Sequence, residues 1–339
     1  MRALVLLLAL ALGGCETTAY YTQAIGGHLK MLAAARPVES WLADPATPPP
    51  LRERLKMARQ MREYASRELG LPENGSYTSY AELNRPFAVW NVYAAPEFSV
   101  EPKKDCFPFT GCVSYRGFFS EDAARRHAAK LRGEGFDVFV GGVVAYSTLG
   151  YFDDPLLSTF IRFPDAQLAR LIFHELAHQR VYVRDDTTFN ESFAVVVEEE
   201  GVKRWLEAQG RSADLAAFAA GQQRRRAFAA RVQETRDRLA VIYASNLPRE
   251  AMLEQKRGEF ERLRADYPNV VPKDANNAYL ISVALYTELV PAFERLLAAE
   301  KGDLQRFYAK VSELAKLPKD TRDAKLERNQ RQTTFLFER

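Results

Sequence analysis

The stretch HELAHQRVYVRDDTTFNESFA, residues 174–194, holds two of the four histidines in a chain of 339 residues. His174 and His178 stand four apart around Glu175, inside the run ARLIFHELAHQRVY, whose apolar spacing predicts a helix over about 165–182. Residues i and i+4 of a helix share a face, about 40° apart in rotation. Two imidazole nitrogens can therefore reach one ion, with Glu175 one step round beside its open position. A two-histidine centre of this kind takes a third protein ligand, as in the His₂Glu zinc sites. Glu191 is the candidate, separated from His178 by the twelve residues QRVYVRDDTTFN. One further helical turn to about Val183, a turn at RDD, and one turn of a second helix capped by Asp186 or Thr187 make up that spacing. Antiparallel helices would set Glu191 level with the histidines. Asp185 and Asp186 are rival ligands that fall at the turn, where capping is the simpler role. The expected chemistry is one Zn²⁺ ion, with Glu175 as the general base that takes a proton from activated water.

Working outward, helical periodicity continues almost without interruption after Asp165. Helices are expected over 187–208, 211–245, 249–265, 275–299 and 302–316, and Phe228, Val232, Leu239 and Ile242 form an apolar seam on the 211–245 helix. On the N-terminal side, 20–43 and 51–69 read as helical around the stiff PATPPP connector. FAVWNVYAAPEFSV (87–100), CVSYRGFF (112–119) and DVFVGGVVAYSTLGYF (137–152) read as strands, and a helix capped by Ser120 lies between the last two. The expected fold is α+β and predominantly helical, with a small sheet preceding the zinc helix.

The first residues, MRALVLLLALALGGC, combine Arg2, the apolar run Ala3–Leu12 and a small-residue site at Gly13-Gly14. Ten apolar residues are about half of what spans a bilayer as a helix, so an export signal is expected. LGGC resembles a bacterial lipobox, which implies acylation of Cys15. Glu16 after it favours the outer membrane, facing the periplasm. The chain divides as 1–14 signal peptide, 15–50 anchor and helical segment, 51–316 catalytic domain and 317–339 polar tail. Forty-seven basic against 44 acidic residues give a net charge of +3, reduced to about +2 without Arg2. That is too weak to imply a nucleic-acid partner, and QQRRRAF (222–228) reads as a solvated helix face. Cys106 and Cys112, with five residues between them in CFPFTGC, are expected to form a disulfide in an oxidising compartment.

HELAHQ followed by NESFAVVVE is similar to the HELAHQ and NExFAxxVE pair of the aminopeptidase N family of gluzincins. The resemblance implies zinc ligation by His174, His178 and Glu191, and the base role for Glu175. CFPFTGCVSYRGFF, AYSTLGYFDDP and NNAYL extend a likeness to small zinc aminopeptidases that are bacterial envelope lipoproteins, and this implies a zincin-like core over 51–316. The chain departs from aminopeptidase N in two ways. Its twelve-residue spacer is shorter, and no GxMEN-like segment supplies the acid that reads a free α-amine. GGVVAYSTLGYF stands in that place, suited to pairing with an extended peptide but without an acid before Asp153.

Other residues carry open alternatives. Glu198, seven beyond Glu191, is either an orienting partner for a ligand histidine or a solvated member of the EEE run. The oxyanion donor is expected to be a tyrosine, with Tyr286 first and Tyr146 and Tyr279 as rivals; Tyr146 is also a candidate substrate contact. Asn276 and Asn277 are substrate contacts or helix caps. His28 and His127 look incidental. The function expected is peptide hydrolysis at zinc, by an aminopeptidase. The alternatives are a lipid-anchored protein that holds zinc without hydrolysis, and a zinc hydrolase of a non-protein amide.

Overall fold

In the computed structural model, residues 20–107 and 111–334 are described. Cys15 and the whole apolar run before it, with the acylation and export expectations they carry, lie outside those residues. The chain begins with a helix over 20–33 (α1), followed by β1 (Ala35–Pro37), α2 (Val38–Ala43) and α3 (Pro49–Arg67). Then come β2 (Ser79–Ala81), β3 (Val89–Pro96), β4 (Asp105–Phe107), β5 (Gly111–Val113), β6 (Arg116–Phe118), α4 (Glu121–Gly133), β7 (Phe136–Val143) and β8 (Leu156–Leu157). Seven helices complete it: α5 (Asp165–Arg180), α6 (Thr187–Ala208), α7 (Ser212–Tyr243), α8 (Arg249–Asp266), α9 (Asn277–Ala284), α10 (Val290–Ala299) and α11 (Leu304–Ala315), with α12 (Lys319–Thr334) beyond them. The fold is α+β and predominantly helical.

The strands form three small sheets, ordered β1-β2-β8, β6-β3-β7 and β4-β5. β3 is central in its sheet, and it reads as a continuous apolar run because both its faces are covered. Trp90, Val92 and Ala94 point to Ala124, Ala128 and Leu131 of α4, while Tyr93 and Ala95 point to Ala278 and Ile281 of α9. β7 pairs with β3 from Val89↔Val143 to Pro96↔Phe136 and forms the edge. The strand expected over 137–152 therefore stops at Val143. Beyond it Asp154 accepts from Thr148 N at 2.8 Å and from Thr148 Oγ1 at 2.9 Å, and this turns the chain. The 112–119 strand is likewise divided into β5 and β6. Cys106 and Cys112 face each other across the β4–β5 ladder and are disulfide-bonded.

The main core lies among α3, α5, α6, α10 and α11. Leu168, Ile172, Phe173 and Leu176 of α5 meet Phe189, Phe193 and Val197 of α6, all fully buried. α6 is buried nearly all round, as a helix surrounded by others must be. It passes close to α5 at Gly201, where a Cβ would fall 2.8 Å from both Leu69 Cδ1 and Phe173 Cδ2.

Two expectations change here. The helix expected over 275–299 is broken at 285–289, between α9 and α10, where Leu289 precedes a new start with Pro291 in the first turn. The 317–339 segment, expected as a polar tail, contains α12, which docks through buried Arg322 and Leu326. Arg322 and Lys319 both pair with Asp186, an ionic contact that polar composition alone does not reveal. At the other end, the 15–50 segment is part of the body from Tyr20 onward, since β1 pairs with β2 and Met31 and Val38 join the main core.

Candidate metal centre and cleft

α5 and α6 run side by side, and the link between them is pinned by one residue. Asn190 accepts from Val183 N and donates to Val183 O, each at 2.7 Å. Asp186 caps α6 by accepting from Phe189 N at 3.2 Å, and Asp185 sits at φ 68° with its carboxylate on Cys112 N. Both aspartates are thus tied to structure, away from the ligand cluster, and Glu191 enters on the first turn of α6.

His174 Nε2 lies 3.1 Å from His178 Nε2 and 3.2 Å from Glu191 Oε2, and His178 Nε2 lies 3.5 Å from the same oxygen. Four ligands tetrahedrally placed at about 2.0 Å from a metal ion would be separated by about 3.3 Å. The three atoms therefore have the spacing of one face of such a tetrahedron. His174 Nδ1 donates to Glu198 Oε2 at 2.8 Å, which puts the ring proton on Nδ1 and leaves the Nε2 lone pair facing the cluster. Three acceptors converging on one point call for a cation. The pocket favours positive charge, whether a proton on His174 Nε2 or a metal ion in its place. Burial opposes a charged His174, but Glu191 and Glu198 outweigh it and push its pKa up. Burial would raise Glu191, and the charges of His178 and His174 outweigh that and pull it down. The chain can hold a metal ion at His174, His178 and Glu191.

Glu175 points into the cleft beside this cluster. Burial raises its pKa, opposed by His174 and His178 and reinforced by Glu191 and Glu198. A carboxylate held above its ordinary range can both take up and return a proton near neutral pH. Glu198 also forms an ion pair with Arg170, Nε to Oε1 at 3.1 Å, so Arg170, Glu198 and His174 form one chain. The sequence carried a signal for Arg170: it stands four before His174, on the same helical face.

Two cavities meet at the cluster, of about 630 and about 370 Å³, and both are lined by Val143, Ala145, His174, Glu175 and Tyr286. Tyr286 lies in the break between α9 and α10, its ring centre 6.4 Å from that of His174, and it packs in one cluster with Tyr93 and Tyr115. Burial, then the Glu191 charge, push its hydroxyl well above the ordinary range, so it remains a donor. Tyr115, absent from the expectations, lines the smaller cavity with His178 and Glu191 and is raised by the same causes. Tyr146 lines that cavity too, edge-on to Phe119.

Other candidates are placed elsewhere. Tyr279 packs on Phe139 and bonds Val270 O at 3.2 Å, outside both cavities. Asn276 caps α9 through Ala278 N, and Asn277 is buried against Asp137, Glu97 and Tyr243. His28 packs on Tyr146 and Phe152, and His127 on Phe118.

No curated protein and no solved structure matches the chain. The pattern of the family described as "Putative aminopeptidase" matches residues 19–326, a span that takes in both cavities and all three ligand candidates. The chain belongs to that aminopeptidase family.

Proposed function

We propose that this protein is a zinc-dependent aminopeptidase with a gluzincin-like centre in a zincin-like core, in which His174, His178 and Glu191 hold one Zn²⁺. The observation that carries the reading is the convergence of His174 Nε2, His178 Nε2 and Glu191 Oε2 within 3.1–3.5 Å, beside Glu175 at the junction of two cavities. Bound there, zinc supplies Lewis acidity and a water that ionises near neutral pH. The other steps belong to the chain. Glu198 holds His174 in the tautomer that presents Nε2, and Arg170 pairs with Glu198 and aligns it. Glu175 takes the proton of the attacking water and returns it to the leaving amine. Tyr286 donates to the oxygen of the tetrahedral centre, with Tyr115 as the alternative donor. The end of β7 and the stretch after it, Val143–Ala145, run alongside the scissile bond, and Tyr146 contacts the substrate in the smaller cavity. A peptide-library digest read by mass spectrometry tests this: stepwise loss of N-terminal residues, abolished by a chelator, is expected, and intact peptides would refute it.

A second reading is a protein that holds zinc without hydrolysing peptides. One observation favours it: apart from Glu175 and Glu191, no carboxylate lines the smaller cavity among the described residues, so no spare acid there reads a free α-amine. Bound zinc with no cleavage anywhere in the library would select it. We also propose that Cys15 is acylated and holds the protein on the outer membrane, facing the periplasm. Labelled palmitate entering the wild type but not Cys15→Ala is the expected result, and no incorporation would refute it.

A further inference from the structure

We infer that the outer face of α1, together with the 149–152 turn, rests on the lipid bilayer; this goes beyond the peptidase reading and rests on the reading of LGGC as an acylation site. α1 is apolar on two sides. Its inner side carries Met31, buried in the main core, and Gly27, where a Cβ would meet Phe119 at 2.3 Å. Its outer side carries Ile25 and Leu29, 57% and 55% exposed, with exposed Thr22 and Ala33 in line and no charge on that stripe. The described residues cover the inner side and leave this stripe open.

The adjoining turn behaves in the same way. Leu149 and Gly150 have φ of 57° and 82°, and Phe152 N donates to Thr148 Oγ1 at 3.1 Å, so the turn is fixed by its own hydrogen bonds. It holds Tyr151 outward at 83% exposure and Phe152 at 52%, with the Phe152 ring 4.9 Å from that of His28 on α1. Tyr182, 37% exposed, lines the smaller cavity together with Leu149 of the turn. These five account for most of the exposed large apolar side chains among the described residues, and the remaining three, Val241, Leu247 and Val270, lie on and beyond α7.

What covers the patch is indicated by the chain that leads into it. Cys15 is five residues before Tyr20, a reach of at most about 17 Å. An acyl chain on Cys15 therefore keeps the start of α1 within that distance of the bilayer. Aliphatic side chains beside tyrosine and phenylalanine are the composition that settles into the headgroup boundary. None of the described helices is long and apolar enough to cross a membrane, so the contact is one of lying on it. Tyr20 and Ala24 of α1, and Ser147 and Leu149 beside the turn, also line the smaller cavity. The membrane would thus support two of that cavity's walls.

The test uses the full chain as processed by its host, purified in detergent and returned to phosphatidylethanolamine/phosphatidylglycerol vesicles. Ile25→Cys, Leu29→Cys and Phe152→Cys are each labelled with an environment-sensitive fluorophore, Cys106 and Cys112 being disulfide-bonded. Val241→Cys, at a 73% exposed site on α7, is the control. The expected result is an emission increase of about twofold or more at the three patch sites, with quenching by nitroxide-labelled lipid, and no change at the control. Equal responses at patch and control would overturn the proposal by showing only a tether. So would patch labels already shielded in detergent, either in a particle of doubled mass or in a chain that retains residues 1–14. The mass of Cys15 in the same preparation separates the two readings. Acylated protein without a patch response refutes the surface alone; unacylated protein without one refutes both.

Discussion

The larger cavity and the smaller one share His174, Glu175 and Tyr286, and differ in nearly everything else. The larger is walled by α5, α6, α7 and α10, and its charges are mutually engaged: Arg170 with Glu198, and Arg226 with Glu199 and Glu294. The smaller is walled by aromatic rings, among them Tyr20, Tyr115, Tyr146 and Tyr182, drawn from α1, the β5–β6 link, the segment after β7 and the end of α5. The candidate ligands and base sit at the seam, on one helix pair. The larger cavity thus has an ionic wall and the smaller an aromatic one, built from segments far apart in the chain.

Substitutions can break this division, beginning at the seam. Glu175→Gln should lower kcat by about 10²- to 10⁴-fold with metal content unchanged, measured by peptide hydrolysis and elemental analysis. An active variant would remove the base from the account. Tyr286→Phe should lower kcat by about 10²- to 10³-fold with KM nearly constant, and Tyr115→Phe far less. The reverse order would make Tyr115 the oxyanion donor. Glu198→Ala acts from the larger side and should weaken zinc affinity by about 10- to 100-fold in a chelator competition. Unaltered affinity would make the His174 contact incidental. Tyr146→Ala should raise KM by about 2- to 10-fold with kcat held, since it removes one aromatic contact from the smaller cavity.

A stability effect, separate from catalysis, concerns the turn that supports that cavity. Burial, opposed by the Thr148 hydrogen bonds and helped by Glu175, pushes Asp154 up to about 6. The folded protein then holds this proton more tightly than the unfolded chain does. Asp154 therefore favours folding fully below about pH 4 and loses that contribution as pH rises to about 6, on the order of 2–3 kcal/mol. Melting temperatures of the wild type and Asp154→Asn across pH 4–7 check this. The wild type should decline in that window relative to the variant, and parallel curves would contradict it.

The helix pair was legible because its signals are local. Apolar periodicity marked α5 and α6, and the turn RDD with Asp186 as cap marked the link between them. The walls were less so. The break at 285–289 interrupts a segment whose periodicity continues through it, and only packing of α9 against β3 and α10 against α6 separates the two halves. Tyr115 reaches the cleft from a strand link about fifty residues before α5, with no spacing to announce it. α12 looked like a tail because its docking relies on a buried ion pair, Arg322 with Asp186, which no hydrophobic pattern encodes.

The central claim is that the acceptors gathered by His174, His178 and Glu191 hold a catalytic zinc. Elemental analysis of the purified full chain, beside His174→Ala, tests it most directly. One zinc per chain in the wild type, and essentially none in the variant, is the predicted result. A metal-free wild type that still hydrolyses peptides, or a variant that keeps its zinc, would contradict it.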